Sequence, residues 1–363
     1  MYLYGSSHSR LLASFLAQIT YGMPMDNLTH AALGICCGLA ARRASAPVAP
    51  AALAALLAAE APDLDILIRS ANDPLVAFRW HRHFTHSFVF LPVIVLLAAL
   101  LAAWFFKGKH ETSTKALLIP AAAGGLSHLL CDACTSFGTM LLWPFSNERI
   151  AWDCLPIVDL AITLPLVVLA WRAWKSHRHA LAWWGIGWFV FYASLGRIQH
   201  NRAEAVLLQW VGNQSVTRFS AKPTISNLIL WRGIWLENGT WHVAAIRISP
   251  FSASQVLEGE SRAAWTPETP GTPLAGTNAG SILTDFSRFT GGWNSVEPSA
   301  AQGLTVGDIR FAMLPDRAKS LWAVRLPDNN QSPELVRTEL ESGDWTHFVD
   351  LLSGNAINYK TLP

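Results

Sequence analysis

Three histidines, His81, His83 and His86, fall within six residues at the start of a long apolar stretch. The neutral imidazole ring is the commonest metal ligand in proteins, and its ordinary pKa also suits it to carry protons. Packing against apolar neighbours is a poor explanation for three such rings at this spacing. The segment therefore indicates a metal site at the mouth of a hydrophobic helix. Taken alone, His81 and His83 could be ligands, phosphate-binding cations or ordinary surface residues, and His81 by itself would be interpreted as a surface residue.

His128 and Asp132 form a second candidate pair, because they are spaced i and i+4 on a predicted helix and so share one face. Two ligands at that spacing can hold one divalent ion. A dry carboxylate is costly, and a nearby cation would offset that cost. The alternative is that His128 bonds to a neighbouring helix while Asp132 reaches water at the end of the segment.

Acidic residues close another apolar segment, where Asp63 and Asp65 flank Leu64 directly after Pro62. The proline predicts an irregular turn at this point, and two carboxylates in such a turn could bridge two ions. The alternative is a helix that simply ends in solvated acids. Glu60, one turn earlier, is either a partner that orients a histidine or a charge at the surface.

The composition indicates a membrane protein with an extramembrane part. The chain has 363 residues, of which 51% are hydrophobic and 14% charged, against about 25% charged in typical soluble proteins. We predict a mostly α-helical polytopic membrane domain of about five to six helices, each needing about 20 residues to cross the bilayer. The candidate segments are residues 27–41, 48–68, 86–106, 116–135, 156–171 and 181–196.

The distribution of Lys and Arg between the loops predicts the orientation of these segments. Alternate loops at 41–47, 107–115 and 172–180 carry eight basic residues, against four in the loops at 69–85 and 136–155. The first set is therefore expected in the cytoplasm. The opposite face, in the periplasm of a double-membrane bacterium, then receives all the polar clusters, including His30, which alone would be interpreted as a core histidine.

The composition changes near residue 200, which divides the chain into an N-terminal extension (1–24), a transmembrane domain (25–199) and a β-rich extramembrane domain (200–363). Residues 1–24 lack a basic region followed by an apolar one, so we expect no cleavable signal peptide. In the last part, Asn238-Gly239 between two alternating runs predicts a hairpin. Residues 321–326 are typical of a strand and residues 265–280 of a loop. The segment count places this domain in the periplasm.

Five short motifs together resemble the YdjM-like family of inner-membrane proteins, which is described as metal-dependent hydrolases and as LexA-binding. They are Thr29-His30, Pro62-Asp63-Leu64-Asp65, His81-Arg82-His83-Phe84-Thr85-His86-Ser87, His128-Leu129-Leu130-Cys131-Asp132 and Pro144-Phe145-Ser146. The family is distantly similar to zinc-dependent phospholipases C and single-strand nucleases, whose helical metal sites also use a His-x-x-x-Asp pair. This resemblance implies the following metal ligands: His30, Asp63, His86, His128 and Asp132.

We therefore expect a membrane-bound, metal-dependent hydrolase that acts on a phosphoester, such as a lipid head group, at the periplasmic membrane surface. Nitrogen and oxygen ligands together favour zinc, with manganese or magnesium as alternatives. Arg82 and His83 are candidates to stabilise developing charge, and Asp65 is the third residue assigned to catalysis. Asp153 or Asp159 could act as a base or a further ligand.

Partners follow from the same considerations. Membrane lipids are expected, and a LexA-type regulator is implied by the resemblance alone. The net charge of +2 gives no reason to expect direct binding of nucleic acid.

Two other functions would use the same residue types. A proton or metal-ion transporter also needs histidines and acids in the membrane. Transporters tend to show internal repeats and sites near the bilayer midplane, whereas here no repeat is visible and the groups lie at segment ends. A non-catalytic regulatory scaffold with a degenerate site would instead depend on the basic loops, for example on Arg42, Lys107 or Arg178.

Overall fold

The computed structural model describes most of the chain from residue 27 onwards. The described residues are 27–70, 73, 75–109, 113–212, 215–249, 253–273, 277–298, 303–327, 333–356 and 359–362. The predicted N-terminal extension, residues 1–24, lies outside them.

Seven α-helices form the first half of the described chain. They are α1 (Asn27–Ala41), α2 (Val48–Glu60), α3 (Val76–Trp80), α4 (Leu91–Phe105), α5 (Thr114–Ala133), α6 (Leu160–Ser176) and α7 (His179–Val211). Two 3₁₀ turns, Pro62–Leu67 and Phe84–His86, follow α2 and precede α4. The helical character of the predicted apolar segments is confirmed. The sixth segment continues to Val211, beyond the predicted domain boundary.

Helices α1, α2 and α5 pack through small residues whose backbones nearly touch. Ideal Cβ atoms placed on Gly34 and Gly38 of α1 would lie 2.5 and 2.2 Å from the methyl carbons of Ala59 and Ala55 of α2. These pairings make α1 and α2 antiparallel. A Cβ on Gly124 of α5 would lie 2.2 Å from the carbonyl oxygen of Ala55. The three helices therefore form the closely packed centre of the bundle, and any larger residue at these positions would push them apart.

Few of these helices are long and apolar enough to cross a bilayer by themselves. Among the described residues α5 meets both conditions, and Val76–His86 with α4 would count as a second span if the two, bent by 79°, act together. The prediction of five to six membrane-crossing helices is therefore not met. At 1.5 Å per residue, α1 and α2 are about 22 and 20 Å long, shorter than the ~30 Å hydrocarbon core. In α7, Arg197 and Arg202 interrupt the apolar sequence.

Helices α4, α6 and α7 nevertheless carry wide apolar faces on the outside of the bundle. Leu97 and Trp104 of α4 are 61% and 70% exposed, Leu164 of α6 is 58% exposed, and Trp184 of α7 is 70% exposed. Extended apolar surface of this kind marks contact with a membrane or another protein.

The second half of the described chain is built on two antiparallel sheets, which confirms the prediction of a β-rich part. The elements are β1 (Val216–Pro223), β2 (Leu230–Glu237), β3 (Thr240–Arg247), β4 (Ser254–Ala263), α8 (Asn278–Thr290), β5 (Asn294–Val296), β6 (Gly303–Asp308), β7 (Trp322–Pro327), β8 (Glu334–Arg337), α9 (Asp344–Ser353) and β9 (Lys360–Leu362). A five-stranded sheet has the order β1-β2-β3-β4-β9 and a four-stranded sheet the order β5-β6-β7-β8.

Two local predictions in this part are confirmed. The hairpin joins β2 to β3 through Asn238 and Gly239, whose φ values of 48° and 74° suit the predicted tight turn. The strand predicted at 321–326 corresponds to β7. The loop predicted at 265–280 ends earlier than expected, because α8 begins at Asn278 with Thr277 as its cap.

The sheets pack directly against the helical part. Leu207 of α7 shares one buried core with Trp231 of β2. On another side, Phe137, which follows α5, lies with its ring centroid 5.1 Å from that of Phe289 and 6.3 Å from that of Trp322. The β-rich part therefore packs against the loop that follows α5.

Candidate metal centre

The metal ligands implied by the family resemblance come from four separate elements that meet at one end of the bundle. Helix α1 supplies His30, the 3₁₀ turn after α2 supplies Asp63, the 3₁₀ turn before α4 supplies His86, and α5 supplies His128 and Asp132. Pro62 sits at the first position of its turn, where no helical amide bond is lost. The turn carries Asp63 across the end of the bundle towards α4 and α5.

The five side chains converge to within hydrogen-bonding distances. His86 Nε2 lies 3.0 Å from His128 Nε2, 3.3 Å from Asp63 Oδ1 and 3.2 Å from Asp132 Oδ2. His128 Nε2 lies 3.5 Å from Asp132 Oδ2, and His30 Nε2 lies 3.3 Å from Asp132 Oδ1. One ligand atom from each of Asp63, His86, His128 and Asp132 falls within 4.8 Å of all the others.

Several of these polar atoms have no hydrogen bond of their own. Both oxygens of Asp63, Oδ2 of Asp132, both ring nitrogens of His30 and Nδ1 of His128 are buried without a hydrogen-bond partner among the described residues, whereas Asp132 Oδ1 forms an ion pair with Arg82. Buried polar groups in proteins are almost always satisfied. A set of unsatisfied donors and acceptors that face one another is what a bound cation would complete.

The charges of the cluster lead to the same conclusion. The carboxylates of Asp63, Asp65 and Asp132 are at most 6% exposed, and Arg82, the guanidinium that pairs with Asp132, is 2% exposed. Arg149 is the next guanidinium, and it donates to the His81 carbonyl at 3.3 Å. With neutral histidines, the three carboxylates therefore exceed the two guanidinium groups by one negative charge. Uncompensated buried charge is strongly unfavourable, and a cation bound among the carboxylates would offset it.

The ligand chemistry fits zinc well. Zinc binds nitrogen and carboxylate oxygen at about 2.0–2.2 Å, so two ligands of one ion lie roughly 3–3.5 Å apart. The contacts of His86 Nε2 with His128 and with the two acids span 3.0–3.3 Å, while His128 Nε2 lies 3.5 Å from Asp132 Oδ2 and 3.8 Å from Asp63 Oδ1. Manganese also accepts such mixed ligands, whereas magnesium prefers oxygen alone.

Asp65 lies behind the ligands rather than among the four best-placed ones. Its Oδ2 lies 3.2 Å from His86 Nδ1 and its Oδ1 lies 2.8 Å from His81 Nδ1, while Thr85 Oγ1 and the Arg82 amide donate to Oδ2 at 3.0 and 2.9 Å. Burial alone would raise the pKa of Asp65, but the hydrogen bonds with His81 and His86 hold it below its usual value. The carboxylate therefore fixes the His86 ring with Nε2 turned towards the centre, as carboxylate partners of metal-binding histidines do.

A second, smaller group shares one ligand with the first. Asp63, Asp65 and His81 also bring ligand atoms within 4.8 Å of one another. His81 Nε2 is buried without a hydrogen-bond partner in the described part of the chain. This group lies next to the first, and Asp63 belongs to both.

Arg82 pairs with a ligand instead of facing solvent. Its Nη2 lies 3.1 Å from Asp132 Oδ1, its Nη1 donates to Thr135 Oγ1 at 2.8 Å, and its guanidinium carbon lies 5.1 Å from the centroid of the Phe137 ring. Its φ of 57° is in the left-handed region, which residues other than glycine adopt rarely. The hydrogen bond from its amide to Asp65 helps to hold this backbone.

His83 lies outside both ligand groups. Its ring is half-buried among aromatic rings, with centroids 5.0 Å from Trp80 and 5.5 Å from Trp143. Of the three residues assigned to catalysis from the sequence, the structure places Asp65 and Arg82 against metal ligands and His83 at the edge of the site.

Asp153 and Asp159 make other contacts. Asp153 Oδ1 accepts a hydrogen bond from Lys222 Nζ at 2.8 Å, which joins the helical part to β1. Asp159 caps α6 by accepting from the Ala161 amide at 2.9 Å, and it also accepts from the Tyr192 hydroxyl. Both carboxylates are therefore occupied in holding elements together.

Two residues that support the site were not singled out as functional from the sequence. Thr85 bonds to Asp65, and Thr135 accepts from Arg82 while donating to the Asp132 carbonyl at 2.8 Å. Thr85 is adjacent to His86, and Thr135 follows Asp132 by three residues. That proximity to candidate ligands was the available signal for both.

The arrangement can hold a divalent cation, and a divalent cation can activate water and neutralise the oxygens of an ester. The five ligand side chains are almost completely buried in this structure. Closed coordination is typical of structural ions, whereas catalytic ions keep one position open to solvent or substrate.

Comparison with known proteins supports the resemblance seen in the motifs. The profile of the family described as YdjM inner membrane protein matches residues 25–203. The Inner membrane protein YbcI of Escherichia coli (strain K12) is 31% identical over 141 residues, which is 38% of this chain and 78% of that protein. No solved structure matches. The matched region contains all five ligands and ends before the sheets begin. The chain belongs to the YdjM family of inner membrane proteins.

Proposed function

We propose that this protein is a multi-pass, metal-dependent hydrolase of the inner membrane that acts on a phosphoester, with a lipid head group as the favoured substrate. Zinc is the favoured metal. The observation that carries the proposal is the convergence of His30, Asp63, His86, His128 and Asp132, from four elements, into one desolvated cluster of ligand atoms.

The position of the cluster in the bundle supports a substrate at the membrane surface. The ligands lie where α1 and α4 begin and where α2 and α5 end, while the outer faces of α4, α6 and α7 are apolar and exposed. Helices shorter than the bilayer can be accommodated by local thinning of the bilayer or by flanking residues that extend to its surface. A bundle embedded in this way would hold the cluster at head-group depth, and the excess of basic residues in the loops at the other end supports a periplasmic position for the cluster.

The roles of the protein groups follow from their contacts. A bound divalent ion would supply an activated water and charge neutralisation for a phosphoester. Asp65 orients His86 and His81, and Arg82 balances Asp132 and limits the charge that the ion must offset. His83, half-buried beside Trp143, is the residue of this group best placed to meet a substrate that approaches from outside.

The proposal is tested on full-length protein purified in detergent. Metal content by inductively coupled plasma mass spectrometry is compared between the wild type, His128→Ala and Asp132→Ala. His179→Ala is the matched control, because that histidine is exposed, belongs to neither ligand group and contacts Arg42 at 2.8 Å. The first two variants should lose stoichiometric metal and the control should keep it. Hydrolysis of bis(p-nitrophenyl) phosphate and of phosphatidylglycerol vesicles should fall in the same variants. A wild type that binds no metal would refute the proposal.

The burial of the ligands favours a second candidate, in which the ion is a structural cross-link in a non-catalytic scaffold. In that case the wild type would contain metal, and chelation would lower its melting temperature, but neither phosphoester would be hydrolysed. The same measurements therefore separate the two functions.

A further inference from the structure

An apolar groove lies between α1, α2, α6 and the end of α4. It has a volume of about 420 Å³. Three helices each present a stripe of spacing i, i+3, i+4, i+7, the pattern of a single helix face. The stripes are Leu28-Ala31-Ala32-Ile35, Ala49-Ala52-Leu53-Leu56 and Val167-Ala170-Trp171-Trp174.

The groove is elongated along the bundle. Because α1 and α2 are antiparallel, Leu28 at the start of α1 and Ala49 at the start of α2 lie at opposite ends of this helix pair. Alanines on all three helices keep the groove open, and Phe105, Trp171 and Trp174 line it near the end remote from the metal cluster. A long, narrow, apolar space suits an extended hydrocarbon chain better than a compact ligand.

Two lysines lie against aromatic rings that line the groove. Lys109 Nζ is 5.8 Å from the centroid of the Phe105 ring, and Lys175 Nζ is 5.2 Å from the centroid of the Trp174 ring. Both side chains are exposed. The groove therefore has an apolar interior and a positively charged mouth, at the end of the bundle where the basic loops lie.

We propose that this groove binds one acyl chain of an anionic phospholipid, whose head group contacts Lys109 and Lys175. Charge complementarity selects the occupant: the apolar lining takes the chain, and the two ammonium groups favour a negatively charged head over a zwitterionic one. Each lysine near an anionic head group contributes about a fivefold gain in affinity. The site is separate from the metal cluster and does not depend on the proposed hydrolysis.

Blocking the groove tests the acyl-chain part of the proposal. Binding of phosphatidylglycerol to full-length protein in detergent is measured by native mass spectrometry for the wild type, Ala31→Phe and Ala49→Phe. The matched control is Ala161→Phe, since Ala161 is exposed on α6 outside the groove. Each groove variant should weaken binding by about tenfold or more, while the control stays at the wild-type level. Two groove positions are used so that failure of one variant to fold leaves the other informative.

Charge removal tests the head-group part. Lys109→Gln and Lys175→Gln should each reduce the preference for phosphatidylglycerol over phosphatidylcholine of the same chains by about fivefold. Lys115→Gln, a charge-matched change in the first turn of α5, should not reduce it. Equal binding of the two lipids to the wild type, or loss of affinity in the groove variants no greater than in Ala161→Phe, would overturn the proposal.

Discussion

The Nε2 atoms of His86 and His128 lie 3.0 Å apart, although the two residues are 42 positions apart in the chain. Such a contact between two neutral rings needs one shared proton, and Asp63 and Asp132 approach the same nitrogen of His86 at 3.3 and 3.2 Å. A bound cation would remove the need for that proton, because two imidazoles and two carboxylates whose ligand atoms lie within 4.8 Å of one another fit a coordination set. The 3₁₀ turns on either side of the bundle end make this convergence possible.

Asp65→Asn should weaken metal binding without abolishing it. The carboxylate holds His86 through Nδ1 and does not belong to the four-residue ligand group. Loss of such an outer partner typically costs about 10–100-fold in metal affinity. A competition titration against a chelating dye should show this decrease with unchanged stoichiometry at saturation. Complete loss of metal would instead make Asp65 a direct ligand.

The depressed pKa of Asp65 predicts how the metal-free protein responds to acid. A carboxyl group whose folded pKa lies below its unfolded value near 3.9 stabilises the fold above that value, and the contribution is lost as the pH falls through the folded pKa. Melting temperatures measured in chelator should therefore decrease between about pH 5 and pH 3. The decrease should be smaller for Asp65→Asn, and parallel curves would contradict the assignment.

The apolar runs and the spacing of the polar residues predicted that the polar clusters meet at one end of the bundle, whereas the choice of the five ligands depended on the family resemblance. The i, i+4 relation of His128 and Asp132 depends on helix geometry alone. The prediction that the polar clusters share one end of the bundle needed only alternating helix directions. The structure agrees, since His30, Asp63 and His86 lie beside His128 and Asp132 of α5.

Other features depend on tertiary contacts that no local pattern encodes. Asp63 and Asp65 look equivalent in the sequence, yet one faces Nε2 of His86 and the other Nδ1 of the same ring. Arg82 has a left-handed backbone, and its buried side chain pairs with Asp132. The number of membrane spans was overestimated because α1, α2, α4 and α6 have 15, 13, 15 and 17 residues, too few to cross a bilayer alone. Hydropathy shows where apolar residues lie, but it does not show where each helix begins and ends.

Gly124→Ala should destabilise the bundle and lower metal occupancy. The added Cβ would lie 2.2 Å from the carbonyl oxygen of Ala55, which is backbone and cannot move aside, and overpacking of this kind costs about 1–3 kcal/mol. Because His128 lies one turn further along α5, its position would shift as well. Gly187→Ala is the matched control, since a Cβ there meets nothing within 4 Å and alanine favours the helix. A lower melting temperature and metal content are expected for Gly124→Ala alone.

Arg82 can be assigned to charge balance or to catalysis by a double-mutant cycle on the metal-free protein. Arg82→Met leaves Asp132 buried without its guanidinium, and removing one partner of a buried pair costs about 3–5 kcal/mol. Asp132→Asn in the same chain removes the uncompensated charge, so the double variant should be more stable than Arg82→Met alone. Denaturant unfolding followed by tryptophan fluorescence measures each corner of the cycle. If the two changes were simply additive, the 3.1 Å contact between Arg82 and Asp132 would not stabilise the fold, and a direct role of Arg82 towards substrate would be the better explanation.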